Sequence, residues 1–302
     1  MPERLWLFLP TYNEVGNLEK IVRATVVALE RAVPADWRVL VVDDASPDGT
    51  GELADSLAAE LPGVEVLHRT AKDGLGKAYL AGFRFAVDRG AEFVIVMDAD
   101  FSHDPDHLAA LIDAAQTSDL VLGSRYIEGG EIMDWPRLRR FLSRFGSVYA
   151  RAILGVRIND LTSGFRCVRR EVLETIEPST LRAQGYVFNI ELTYRALLAG
   201  FTVTEVPITF RDREAGQSKM SLPIAFEALM LVPRLRLELS GRRREQLGAA
   251  GRSARNRSPF RRLSRRKARI NGAGAPVLEE REELEPRLRR LPSRSRQGNR
   301  RT

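Results

Sequence analysis

Over the first 125 residues, short continuous apolar runs alternate with longer segments of helical periodicity. That alternation constrains the fold more than any other feature of the chain. "RLWLFLP" (4–10), "WRVLVVDD" (37–44), "VEVLHR" (64–69), "FVIVMDAD" (93–100) and "DLVLGSRY" (119–126) read as strands. Between them lie a helix carrying Leu18, Ile21, Val22, Val26 and Leu29, with Asn13 as its expected cap, and helices within 46–63, 74–90 and 105–116. Strands alternating with helices of this length build parallel βαβ units. Unbroken Val/Ile/Leu runs mean strands covered on both faces. Further on, 137–155 and 187–200 read as helices, 156–176 as a loop, strand and helix, and 201–210 as a strand.

Ligands of such sheets bind beyond the carboxyl ends of the strands. Three polar clusters stand at those ends: "PTYNE", "DDASPDGT" and "DADFSH". In an extended strand Asp98 and Asp100 would point to one side. Two carboxylates there suit a hard divalent cation completed by substrate phosphates, or a general acid/base pair. A D-x-D pair alone also fits idle, solvated loop acids. Asp44 beyond its strand can accept hydrogen bonds from a base or ribose, and Tyr12 can stack on a base. Glu14 fits a helix-terminus acid or a nucleotide contact.

Arg125, Arg213 and Lys219, with Gly216 and Ser218 between the last two, form a basic set that a mobile loop could fold over a diphosphate. In "RLRRFLSRFGS" (137–147), Arg139 and Ser143 are four apart and share a helix face, with Arg140 and Arg144 as the adjacent stripe. A guanidinium and a hydroxyl on one face would hold a phosphate.

Other chemistries find no support. His68, His103 and His107 come with no nucleophile elbow and no H-E-x-x-H spacing. "GLG" (74–76) fails the dinucleotide fingerprint at Tyr79, and there is no Walker A motif. Cys167 is the single cysteine, which excludes an intrachain disulfide and a cysteine-based zinc cluster and suits a reducing compartment. The start, "MPERLWLFLPTYNE", does not read as a secretory signal. No stretch reaches the roughly 18 apolar residues of a membrane span.

Charge divides the chain. Residues 241–302 carry a net +14 and residues 1–240 a net −7. The expected organisation is therefore a folded acidic domain over 1–240 and an Arg-rich, disordered tail over 241–302, with a short helix near 276–291. The acidic body argues against a dedicated nucleic-acid binder. "SLPIAFEALMLVPRLRLEL" (221–239) sets apolar residues beside Arg234 and Arg236, as either an interfacial helix or a terminal helix packed on the core would.

Taken in order, "LPTYNE", "VVDDASPDGT", "GLGKAY", "MDADFSHDP", "GSRY", "DLTSGFR", "GYVFNIEL" and "FRDREAGQSKM" resemble the dolichol-phosphate mannosyltransferases, called polyprenol monophosphomannose synthases in bacteria. These are inverting members of glycosyltransferase family 2. The resemblance runs from about Leu5 to Leu231 and implies a GT-A (Rossmann-like), mostly parallel sheet flanked by helices. It also implies transfer of mannose from GDP-mannose to a polyprenyl phosphate. Pro10, Tyr12, Glu14, Val42 and Asp44 would hold guanosine. Asp98, Ala99 and Asp100 would meet the diphosphate and its Mg²⁺ or Mn²⁺, with Asp100 the firmest ligand. Some relatives use a Gln as metal ligand at the position of Ser102, whose shorter side chain would work through a water. Arg125, Arg213 and Lys219 match phosphate-contacting cations; with Asp98 and Asp100 they are the expected catalytic set. Arg139 and Ser143 match residues that hold the acceptor phosphate. The implied location is the cytoplasmic face of a membrane, held peripherally by the surface or by a membrane-protein partner. Two other readings stay open here: a UDP-sugar-dependent polyprenyl-phosphate glycosyltransferase, and a non-catalytic nucleotide-sugar-binding scaffold.

Overall fold

The computed structural model describes residues 4–33, 36–181, 186–212 and 229–239, all within a compact unit, Met1–Gln246. The 241–302 tail, its expected helix near 276–291, and Arg213, Gly216, Ser218 and Lys219 lie outside the described residues.

The chain runs β1 (Leu5–Thr11), α1 (Val15–Ala32), β2 (Trp37–Asp43), α2 (Thr50–Glu60), β3 (Val64–His68), α3 (Leu75–Asp88) and β4 (Phe93–Val96). A 3₁₀ turn, Pro105–His107, leads into α4 (Leu108–Ala115) and β5 (Leu120–Ser124). Then come β6 (Glu131–Ile132), α5 (Arg137–Leu154), β7 (Arg166–Arg169), α6 (Arg170–Ile176), α7 (Tyr186–Ala199), β8 (Val203–Pro207) and β9 (Thr209–Phe210). Seven strands form one sheet in the order β3-β2-β1-β4-β7-β5-β8. Neighbours are parallel except at β7, which runs antiparallel to both β4 and β5. β6 and β9 make a small parallel pair, joined to the main body by a bridge between His103 and Phe210.

The two-residue side-chain period explains the apolar runs. Leu5, Leu7, Leu9, Val39, Val41, Phe93 and Ile95 enter one core with α1, α2 and α4. Trp6, Phe8, Leu40, Val42, Val94 and Val96 enter the other with α3, α5, α6 and α7. Both faces are covered, so neither parity tolerates a polar residue. On the second face α3 lies close to the sheet at Gly82, where a Cβ would come within 2.8 Å of the Phe8 ring. Tyr79, Phe83 and Phe8 then meet edge to face.

Three expectations need correction. β4 ends at Val96, not at 100. Its pairing with β7 stops where that antiparallel strand begins, at Arg166, so Asp98 and Asp100 are not extended-strand neighbours. Asn13 does not cap α1. It sits at φ +57°, and its N–H donates to Ser46 Oγ. The first N–H groups are instead satisfied from the β2–α2 loop, Glu14 N–H by Thr50 Oγ1 and Val15 N–H by Asp48 Oδ2. The expected 201–210 strand is divided at Ile208, whose N–H turns to the Ser124 carbonyl. Of the segment expected at 221–239, residues 221–228 lie outside the described residues and residues 229–239 are helical. Val232 and Leu235 are buried in the core, while Met230 and Leu237 are exposed. Among the described residues no helix is long and apolar enough to cross a membrane.

Candidate active site

β1, β2 and β4 run in the same direction, so their carboxyl ends open on one edge, where the strand order reverses between β1 and β4. Pro10 lies near the end of β1, and Tyr12, Glu14 and Asp44 stand beyond β1 and β2. Asp44 is 6% exposed, and its carboxylate pairs with Arg69. Burial pushes its carboxyl above the usual range, and the Arg69 charge opposes but does not cancel that shift. Lys72 Nζ lies 3.5 Å from the centre of the Tyr12 ring. Arg69 and Lys72 therefore belong beside the expected base-binding pair. Both follow β3 in "HRTAKDG", and their signal was basic side chains beyond a third parallel strand. Val42, by contrast, points its side chain into the core, while its carbonyl accepts from Thr11 Oγ1 at 3.2 Å.

Beyond β4 the two aspartates have different surroundings. Asp100 is buried, and its Oδ1 accepts from both Ser102 N–H (3.0 Å) and Ser102 Oγ–H (2.5 Å). Phe101, at φ +59°, folds the chain tightly enough for that, a conformation uncommon for a bulky residue. Ser102 thus braces Asp100. Asp98 keeps 29% of its side chain exposed, and Ala99 between them is buried. His103 is buried beneath them. Its Nδ1 accepts the Asp98 backbone N–H at 3.2 Å, which places its ring proton on Nε2. Burial holds it below the usual imidazole range despite Asp98 and Asp100 nearby. The 3.8 Å approach of Nδ1 to Asp98 Oδ2 is therefore no ion pair.

Arg125, at the end of β5, is gripped by Asp160. Nε donates to Oδ2 at 2.7 Å and Nη2 to Oδ1 at 2.8 Å, while Nη2 also reaches Thr162 Oγ1 at 2.9 Å. Asp160 is fully buried. Burial alone would raise its carboxyl, but the Arg125 charge and hydrogen bonds outweigh that and hold it below the usual range. Its backbone N–H is fixed in turn by Glu205 Oε1 at 2.8 Å. Sequence reasoning missed Asp160, whose partner lies 35 residues away.

On α5, Arg139 and Ser143 share a face as their spacing requires. Arg139 Nη1 donates to both carboxylate oxygens of Asp212 (2.9 and 3.1 Å), and its guanidinium lies 3.9 Å from the Trp135 ring centre. Ser143 is nearly buried and accepts from Tyr126 Oη at 2.7 Å. Phe210 ties the two halves together. Its ring meets His103, Trp135 and the Arg125 guanidinium at 5.3, 5.3 and 5.1 Å. The carboxylate pair and the α5 basic face thus border one region.

The outer side of α5 is not only basic. It also carries an apolar stripe, Leu138, Phe141, Leu142, Phe145 and Val148, in which Phe141 is 66% and Phe145 56% exposed. The i, i+3, i+4, i+7 spacing was visible in the sequence.

An oxygen-only pair of carboxylates, one braced on Ser102, suits a hard cation such as Mg²⁺ or Mn²⁺. His103, with its Nδ1 lone pair already engaged, does not compete for it. Among the described residues no group of three or more His, Cys, Asp or Glu could hold a metal, and a hard cation on two carboxylates ordinarily completes its shell with water and substrate oxygens.

A mostly parallel sheet with an acidic pair and cations gathered beyond its strand ends is a GT-A glycosyltransferase architecture. Residues 6–177, more than half of the chain, match the family described as Glycosyl transferase family 2, and the chain belongs to that family. It is 48% identical over 231 residues to the undecaprenyl-phosphate mannosyltransferase of Micrococcus luteus, covering 76% of this chain and 93% of that protein. It is 50% identical over 232 residues to the polyprenol monophosphomannose synthase of Mycolicibacterium smegmatis, covering 76% of this chain and 86% of that one. The fold is shared with the glucosyl-3-phosphoglycerate synthase of Mycobacterium tuberculosis, solved with Mn²⁺, UDP and glucosyl-3-phosphoglycerate. That match has a TM-score of 0.53 at 19% identity and covers 80% of each chain.

Proposed function

We propose that this chain transfers mannose from GDP-mannose to a polyprenyl monophosphate, with inversion at the anomeric carbon, giving polyprenyl-phosphate β-mannose and GDP. The observation that carries this reading is the juxtaposition, through Phe210, of the Asp98–Asp100 pair with the Arg139–Ser143 face of α5. One end suits a metal-bound diphosphate and the other a phosphate monoester. The names of the two bacterial relatives support the same donor sugar and acceptor class.

Asp98 and Asp100 would hold Mg²⁺ or Mn²⁺, which when bound neutralises the charge that develops on the departing diphosphate. Arg125 adds positive charge whose direction is set by Asp160. Arg213 and Lys219 are assigned to the same diphosphate by their place in "RDREAGQSK". Tyr12 and Asp44, with Arg69 and Lys72 beside them, would take the nucleoside. Arg139 and Ser143 hold the acceptor phosphate, whose oxygen attacks C1 of the sugar as the bond from C1 to the diphosphate breaks. A phosphate monoester has a second pKa near ~6, so its dianion is nucleophilic without help. His103 agrees with that economy, since it is buried and neutral and its one free lone pair is spent on a backbone N–H. No side chain is required as a general base.

The α5 stripe supports peripheral attachment to a membrane surface, because it sets five apolar side chains on the same helix as the acceptor-holding residues; the cytoplasmic face remains part of the proposal. A membrane-protein partner at that stripe is the alternative occupant. The decisive assay is mannose transfer to a short polyprenyl phosphate, with Mg²⁺, with Mn²⁺ and with a chelator, using UDP-glucose as a competing donor. Metal-dependent turnover of GDP-mannose alone is expected. Preference for the UDP donor would overturn the sugar assignment, and nucleotide binding without turnover of either donor would favour a scaffold.

A further inference from the structure

The bond between Tyr126 and Ser143 has no part in the scheme above. Tyr126 Oη lies 2.7 Å from Ser143 Oγ and donates to it. A phenol is a stronger donor and a weaker acceptor than an aliphatic hydroxyl, so the direction of this bond is chemically determined. Burial also pushes the Tyr126 hydroxyl above the usual phenol range, which keeps it a donor under all working conditions. With one lone pair of Ser143 engaged, the serine has its own proton to give. A helical serine ordinarily gives that proton to the carbonyl four residues back. Among the described residues nothing accepts it, although Ser143 is only 7% exposed. A nearly buried hydroxyl therefore presents its proton on the face it shares with Arg139.

We infer that Tyr126 is a positioning residue of the acceptor site, fixing the Ser143 hydroxyl so that its proton points at the acceptor phosphate. Three details suit Tyr126 to the task. It directly follows Arg125, which is clamped by Asp160 through the side chain and through its own backbone N–H at 3.2 Å. Its ring lies 5.2 Å from the Arg125 guanidinium, so it is held from the donor side. It reaches α5 at the residue one turn beyond Arg139, so it sets the position of the acceptor face relative to the end of β5. A hydroxyl whose proton is already directed loses less freedom when the phosphate arrives than one that must rotate and be desolvated first.

This inference rests on the reading of Ser143 as an acceptor-phosphate residue, and a double-mutant cycle separates the two. Kinetics would be measured for the parent, Tyr126→Phe, Ser143→Ala and the double variant, with polyprenyl phosphate and GDP-mannose varied in turn. Phe keeps the ring and removes one oxygen. GDP binding to each variant reports that the donor half is folded. The expected result is a rise of about tenfold in acceptor KM for Tyr126→Phe, the scale of a lost charge-assisted hydrogen bond. The KM for GDP-mannose should be unchanged, and Tyr126→Phe should have no further effect once Ser143 is Ala. An unchanged acceptor KM in Tyr126→Phe, or full additivity with Ser143→Ala, would overturn the role of Tyr126. An unchanged acceptor KM in Ser143→Ala would overturn the underlying acceptor-site reading instead.

Discussion

Replacing Phe141 and Phe145 with serine tests the α5 stripe directly. The two rings are 66% and 56% exposed and stack on each other at 6.4 Å. An aromatic residue presents on the order of 200 Å² when fully exposed, so the pair leaves roughly 240 Å² in water. At about 25 cal/mol per Å², complete transfer out of water would contribute about 6 kcal/mol. An interfacial helix sinks only part of its face into the acyl boundary. If a third of that area is immersed, the loss is about 2 kcal/mol, or roughly thirtyfold in partitioning. The assay is sedimentation with liposomes at an ionic strength high enough to screen the +14 segment at 241–302. Thermal unfolding should not change, because exposed side chains contribute little to the folded state. Acceptor KM should rise for a long-chain polyprenyl phosphate in vesicles and stay level for a short, water-soluble one. If the double variant bound vesicles as tightly as the parent, the membrane role of the stripe would be refuted.

Two other outcomes follow from the site. Asp160→Ala removes one partner of a buried pair and should cost about 3–5 kcal/mol in urea denaturation at neutral pH. The parent itself should show a matching acid dependence. The Asp160 carboxyl is held below its usual value, so its stabilisation is fully present above the unfolded carboxyl pKa, near ~3.9, and is lost as pH falls through the folded value. The variant should lack that component. Ser102→Ala removes the hydroxyl that braces Asp100 and should weaken Mn²⁺ binding, measured by titration calorimetry with GDP present, by about tenfold. Unaltered Mn²⁺ affinity would mean that Ser102 serves the turn and not the metal.

The sequence by itself determined the layered α/β body, because strands buried on both faces must be apolar at every position and leave an unmistakable run. It also located the crevice, since Tyr12, Asp44, Asp98 and Asp100 all follow strands that parallel connections bring to one edge. The pairing of Arg139 with Ser143 needed only the helical repeat. The apolar stripe at 138–148 is equally legible by its period.

What the sequence did not carry were relations between distant positions. β7 enters antiparallel between β4 and β5, and no local pattern states which strands a segment will join. That insertion accompanies the early end of β4, beyond which Asp100 is buried and Asp98 partly exposed. Asp48 and Thr50 satisfy the start of α1, Asp160 orients Arg125, Tyr126 turns Ser143, and Phe210 joins the two halves of the site. Each of these bonds spans 17 or more residues. Periodicity records which face of an element is buried; only the packed tertiary structure decides what that face meets.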